Sequence, residues 1–304
     1  MVDLTVTLGD KLVLQNPILT ASGTFGYGDE VPELVDVNQL GGLVTKSITR
    51  HPREGHPPPR IAETSAGMLN AIGLANIGVE RFCNEKLPYL AELSTAAIVS
   101  IAGSSFEEYQ EVMKIIEGRQ PRIMGYEINI SCPNVHDGGM EFGVSTYMTE
   151  ELTRHLRELT ARFLIVKLSP NVTAISDIAK AAEQGGADAI SAINTVVGMG
   201  VDPRTGTFQL STGIGGLSGP AIKPIALAAV YKVAQAVTIP VIGIGGIMTV
   251  GDVVAFVRAG AHAVQIGTAN FRDPGIGIRL ISELGSFLEE LGVSRLSEIR
   301  GSAH

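Results

Sequence analysis

The stretch V-I-G-I-G-G-I-M-T-V-G-D-V-V-A-F-V-R-A-G-A-H-A-V-Q-I-G-T-A, residues 241–269, decides the fold. Val241–Gly246 is an apolar run too brief for a buried helix, so it reads as a buried strand. Thr249 stands where a helix N-cap belongs, and Val250–Ala259 repeats apolar residues at helical spacing until Gly260 stops it. Val264–Thr268 is a second strand-like run. Strand, helix and strand in that order build a parallel pair. Six further runs of the same kind lie upstream, at Ile18–Gly23, Gly42–Ser47, Ala97–Gly103, Tyr126–Ser131, Leu164–Ser169 and Ala189–Asn194. Phe106–Glu117 (behind Ser104-Ser105), Ile175–Gln184 and Ala221–Ala236 read as helices between them, with Gly118 and Gly185 as stops. Eight strands alternating with helices predict an α/β fold, a closed (β/α)8 TIM barrel.

The rival is a doubly wound dinucleotide fold, whose G-x-G-x-x-G pattern fails here. After Gly243 and Gly245 the last position is Met248, and after Gly213 and Gly215 it is Ser218. The phosphate-loop pattern fails as well, because Thr45 precedes Lys46-Ser47 where Gly is required. Two decorations are expected on the barrel. Leu4–Leu8 and Lys11–Gln15 read as an N-terminal β-hairpin plugging its bottom, and residues 198–219 as a Gly/Thr-rich excursion after strand six, beside the active face. Pro57-Pro58-Pro59 marks a rigid loop after strand two. No linker interrupts the chain, so residues 1–304 are expected to form a single domain.

Composition narrows the function classes. With 45% hydrophobic and 18% charged residues over 304 positions, disorder is excluded. A net charge of −8 argues against binding nucleic acid or an anionic membrane. Two cysteines, Cys83 and Cys132, supply neither a disulfide framework nor four ligands for an iron–sulfur cluster. The start M-V-D-L-T-V lacks the basic and apolar pattern of a signal peptide, and no long apolar run is present; the expectation is a cytoplasmic protein without a bound metal.

In a barrel, the strand ends converge on one face. They bring Ser22, Lys46, Ser47, Ser100, Asn129, Ser131, Cys132, Lys167, Asn194, Gly245, Gly246, Gly267 and Thr268 together. Lys46 and Lys167 each end an apolar run, and a lysine in a barrel mouth either pairs with an anionic or electron-rich group or snorkels to the rim. The glycines of G-I-G-G (243–246) and I-G-T-A (266–269) offer bare amides for a phosphate, the alternative being two tight turns that need positive φ. Such a cradle suits a phosphosugar or a mononucleotide such as FMN. In N-I-S-C-P-N, residues 129–134, a thiol lies between two amides just past a strand. A free thiol ionises near ~8.5, so a neighbouring cation or donor makes Cys132 a candidate base or nucleophile, against the commoner fate of an inert small Cys. A Cys132–His136 pair is the less favoured arrangement. Asn70, Asn129, Asn134 and Asn194, each by itself an ordinary turn former, would together suit a small planar polar ligand.

These residues carry a resemblance to the dihydroorotate dehydrogenases. The matching segments are T-A-S-G-T-F-G-Y-G (20–28), T-K-S (45–47), N-A-I-G-L-A-N (70–76), N-I-S-C-P-N (129–134), V-K-L-S-P (166–170), I-N-T (193–195), L-S-G (217–219), G-I-G-G-I (243–247) and I-G-T-A (266–269). The chain is most similar to the soluble class 1B type, the catalytic subunit of the NAD-linked enzymes; Ser100 departs, standing where the family motif has Asn. The resemblance implies oxidation of dihydroorotate to orotate in pyrimidine (UMP) biosynthesis. One FMN per chain would be held by Ser22, Lys46, Ser47, Ser100, Asn129, Lys167, Ile193, Gly219, Gly245, Gly246, Gly267 and Thr268. The substrate would be held by Lys46, Asn70, Ala71, Ile72, Gly73, Leu74, Asn129, Asn194 and Thr195. Cys132 would be the base, under a lid running from Pro133 to Gly143. FAD and a [2Fe–2S] cluster would lie on a partner subunit, two of each chain forming a heterotetramer that delivers electrons to NAD.

The alternatives are a fumarate-using homodimer of the same family and a dihydropyrimidine dehydrogenase-like FMN barrel. A dihydrouridine synthase would need a basic face, which −8 does not supply. A phosphosugar lyase or isomerase and an inert scaffold subunit complete the set.

Overall fold

The structure, a computed structural model, describes residues 2–30, 32–131 and 142–304. Its strands are β1 (Val6–Leu8), β2 (Leu12–Leu14), β3 (Ile18–Thr20), β4 (Gly42–Val44), β5 (Ile61–Thr64), β6 (Gly67–Asn70), β7 (Ala96–Ile101), β8 (Gly125–Asn129), β9 (Phe163–Leu168), β10 (Ala189–Ala192), β11 (Val196–Met199), β12 (Ile214–Ser218), β13 (Val241–Ile244) and β14 (Ala263–Ile266). Its helices are α1 (Val79–Glu85), α2 (Leu87–Glu92), α3 (Phe106–Gly118), α4 (Thr146–Leu159), α5 (Ile175–Gln184), α6 (Lys223–Ala234), α7 (Val250–Arg258) and α8 (Ile276–Glu290).

The strands β3-β4-β7-β8-β9-β10-β13-β14 close into a parallel barrel, and all eight are the runs read from the sequence. Each ends one to three residues before its run does, because the small or polar residues at the run's end leave the ladder for the mouth. The strands β7 and β9 are buried along their whole length, one face against the interior and one against the helices. Ser105 and Thr249 cap as expected. Ser105 accepts from the Glu108 amide, and Thr249 forms a capping box with Asp252.

The N-terminal hairpin is present, with Val6 opposite Leu14 and Leu8 opposite Leu12. Those four residues are buried while Thr7 and Val13 face out, the alternation of a two-sided strand. Lys11 Nζ reaches Asp188 Oδ1 at 2.6 Å, and Gln15 Nε2 donates to the Leu40 carbonyl at 2.6 Å. Asp188 and Leu40 precede β10 and β4, so the hairpin covers the N-terminal end of the barrel.

The excursion differs from a plain loop. It carries β11 and β12, which join β6 and β5 in an antiparallel sheet ordered β11-β12-β6-β5. Gly216 pairs with Asn70 and Ser218 with Met68. The glycines that conceal these strands in the sequence are demanded by close approach. A Cβ at Gly216 would overlap the Thr195 side chain, and one at Gly215 would fall 2.5 Å from a Leu210 methyl.

Candidate active site

The C-terminal ends of β3, β4 and β7 bring three serines into a chain. Ser22 Oγ lies 3.3 Å from Ser47 Oγ, and Ser47 Oγ lies 2.9 Å from Ser100 Oγ. Ser100 has no exposed surface, so it stands behind Ser47 as a support. Beside them Lys46 is half-buried, its backbone fixed by a 2.8 Å bond from its amide to the Gly26 carbonyl. Its ammonium meets no ion-pair or hydrogen-bond partner among the described residues. Burial, and then the charge of Arg60, pull the Lys46 ammonium below the ordinary lysine range, with Glu30 opposing. A cation so placed favours an anionic ligand.

On the other side of the mouth, Asn194 Nδ2 donates to Asn129 Oδ1 at 3.2 Å and to Ser131 Oγ at 3.0 Å. The Thr195 amide closes onto Asn194 Oδ1 at 2.8 Å. Asn70 donates to the Gly216 carbonyl at 3.3 Å, which ties the Asn70–Leu74 segment to β12. Gly73 and Leu74 both take positive φ, 72° and 56°, and for Leu this is a costly conformation that its surroundings must hold. Asn76 does so, donating to the Leu74 carbonyl and to Thr49 Oγ1, both at 2.8 Å. Sequence reasoning missed this buried Asn, although it closes the quoted N-A-I-G-L-A-N.

The glycine turns meet as the cradle requires. Gly246 takes φ 72°, and a Cβ there would fall 2.7 Å from the Gly219 carbonyl oxygen and 3.0 Å from the Lys223 nitrogen. Thr268 Oγ1 donates to Ser218 Oγ at 2.8 Å, drawing the last barrel turn to the same place. The helix start beyond it is already satisfied, because Asp252 Oδ2 accepts from the Met248 and Thr249 amides, each at 2.9 Å. Burial raises the Asp252 pKa, but the Lys223 ammonium and these donors outweigh it and hold the carboxyl below its ordinary value. A phosphate is therefore left to the loop amides at Gly246, Gly267 and Thr268, which donate to no described group, rather than to the first turn of α7. This cradle, open only where glycine keeps it open, fits the phosphate of a mononucleotide.

Below the mouth, Lys167 is buried at 6% exposure, with its Nζ 3.8 Å from Glu127 Oε1. Glu127, Ser191 and Gln265 were not singled out from the sequence. The signal was akin to the one that marked Lys167, a polar side chain among apolar strand residues, here inside the run as Y-E-I-N and V-Q-I-G. Ile193 is buried, and its amide donates to the Ile244 carbonyl at 3.0 Å. Cys132 and Pro133–Glu141 lie outside the described residues; of the expected lid only Phe142 and Gly143 are described, with the Gly143 amide 2.9 Å from the Ile130 carbonyl.

Residues 4–288 match the family model described as Dihydroorotate dehydrogenase. The chain belongs to this family. It is accordingly an oxidoreductase of the dihydroorotate dehydrogenase type. It is 51% identical over 302 residues, 99% of each chain, to a Bacteroides fragilis protein named dihydroorotate dehydrogenase B (NAD(+)), catalytic subunit. An Exiguobacterium sibiricum protein of the same name is 50% identical, with 96% of this chain and 94% of that one covered. A Solibacter usitatus protein named putative dihydroorotate dehydrogenase A (fumarate) is 49% identical over 96% of this chain and 95% of its own. Among solved structures, a dihydroorotate dehydrogenase from Eimeria tenella, crystallised with ferulenol, superposes with a TM-score of 0.83. At 21% identity, covering 99% of this chain and 88% of that one, it shows a shared fold.

Proposed function

We propose that this chain is the catalytic subunit of an NAD-linked dihydroorotate dehydrogenase in pyrimidine biosynthesis, acting with residues 1–304 as one FMN-binding barrel. The observation that carries the reading is the convergence, on one barrel mouth, of loop amides free for a phosphate, two lysines and an asparagine cluster. Gly219, Gly245, Gly246, Gly267 and Thr268 would hold the FMN phosphate. Ser22, Ser47, Asn129, Ile193 and Lys46 would line the ring, with Ser100 acting through Ser47. Lys167 would face the pyrimidine edge, where its charge favours negative charge developing there. When bound, FMN supplies an acceptor for the hydride that leaves C6 of dihydroorotate.

The remaining work falls to the chain's own side chains. Lys46 pairs with the substrate carboxylate, which its half-buried, unpartnered ammonium suits. Asn129, Asn194, Thr195 and the Asn70–Leu74 segment hold the ring's amide and carbonyl edges, so that both reacting carbons are presented in one geometry. Cys132 takes the C5 proton as the C6 hydride departs.

The names of the relatives support a partner subunit, and we assign FAD and the [2Fe–2S] cluster to it, in a heterotetramer of two of each. The lack of a dinucleotide motif and of four cysteines in this chain agrees with that division. A cytoplasmic enzyme is the matching location; among the described residues no helix is long and apolar enough to cross a membrane. The second reading, a fumarate-using homodimer, is favoured by the Solibacter relative.

The visible spectrum of the purified chain, before and after anaerobic dihydroorotate, tests the first level. A yellow protein that bleaches is expected. A yellow protein that stays yellow would move the substrate elsewhere, and a colourless one that FMN cannot reconstitute would end the redox reading. The acceptor is tested separately. The chain purified alone should reduce NAD poorly and gain that activity only with its partner, whereas rapid fumarate reduction by the lone chain would select the second reading.

A further inference from the structure

Glu127 is a charged side chain with no exposure, set in the middle of barrel strand β8. Its Oε2 accepts twice, from Ser191 Oγ at 3.0 Å and from Gln265 Nε2 at 2.6 Å. Those donors stand on β10 and β14, so two other strands pin the carboxylate. Its Oε1 has no hydrogen-bond partner among the described residues and stands 3.8 Å from Lys167 Nζ. An ion pair built only to hold a core together closes to about 2.7–2.9 Å and uses both oxygens. This one is left open on the lysine side, and the lysine keeps its donors for something else. Asn129 is the register partner of Lys167, so Glu127 lies one pleat deeper. The order from interior to mouth is carboxylate, ammonium, ligand space.

We propose that Glu127 is the positioning residue and counter-charge of Lys167. It aims the ammonium at the flavin and limits how strongly that positive charge favours the reduced, anionic cofactor. This inference rests on the reading above that Lys167 faces FMN. A negative charge fixed behind the ammonium cancels part of its field at the ring, and in a buried site with little solvent screening that cancellation is large. Replacing the carboxylate by an amide of the same shape removes the charge and leaves both Oε2 donors a carbonyl to bond.

The test compares wild-type and Glu127→Gln proteins, both FMN-loaded, equilibrated without oxygen against a reference dye of known potential. Flavin absorbance reports the ratio of reduced to oxidised cofactor, and a melting curve reports stability. The variant should show that ratio raised about tenfold at fixed solution potential, which for a two-electron couple is about 30 mV upward. Glu127→Asp, which keeps the charge but retracts it by one methylene, should shift the same way by less; its sign decides the matter if the Gln variant does not fold. A ratio unchanged or lowered, with only the melting temperature reduced, would make Glu127 a structural residue and overturn the proposal. A wild-type chain that holds no FMN would sink the parent reading and this one together. A flavin-loaded wild type beside a variant of unchanged ratio would sink this one alone.

Discussion

Replacing Cys132 by Ser should lower turnover about 10²–10⁴-fold at neutral pH, the usual worth of a positioned general base, and leave FMN bound. A free thiol ionises near ~8.5, while a serine hydroxyl stays protonated through the accessible range. Above the thiol's pKa the wild-type rate levels off while the small ionised fraction of the serine keeps growing with pH, so the loss should shrink there. Flavin retention is the internal control, because the proposed flavin contacts, Asn129 apart, come from other strand ends and from the cradle at Gly246 and Thr268. Steady-state rates across pH, with the flavin spectrum read on the same samples, check this. A variant with wild-type turnover at neutral pH would remove Cys132 from the proton-transfer role.

Flavin binding itself should fail in Gly246→Ala. The backbone there has φ 72°, which costs an L-residue about 1–2 kcal/mol, and the new methyl would fall 2.7 Å from the Gly219 carbonyl oxygen. Both effects push the turn out of place. If two charge-assisted amide bonds to phosphate are lost, each worth about 1.5–3 kcal/mol, affinity should drop about 10²–10⁴-fold. Titration of FMN into flavin-free wild type and variant, matched by melting curves, measures it. Equal affinities would place the phosphate away from this turn.

The barrel was legible because each of its strands is a buried apolar run closed by a small or polar residue, and burial on both faces leaves that mark on local sequence. Helix α4 was not read, because its buried face includes Thr149 and Thr153 beside Met148, Leu152 and Leu156, which blurs the apolar stripe. The repeat of Ile276, Leu280, Leu284 and Leu288 in α8 was present in the sequence and passed over. The second sheet escaped for another reason. β12 pairs with a strand nearly 150 positions away, and its glycines reflect space taken by Thr195 and Leu210, which no local pattern records. At the mouth, single polar residues at strand ends were readable one by one. What they bond to was not, and so the roles of Asn76 and Glu127 emerged only from three-dimensional neighbours.

The pairing of β6 with β12 carries a thermodynamic consequence. Asn70, at the head of the proposed substrate segment, is the register partner of Gly216, and Gly219 of the phosphate cradle follows three residues later, directly after the end of β12. A ligand that orders one strand restrains the other. The two occupants are then linked, and linkage is reciprocal: whatever factor the nucleotide lends to orotate affinity, orotate must return to the nucleotide. Product lingering in the mouth would tighten the cofactor's hold, so a chain at work should bind its flavin with higher affinity than an idle one.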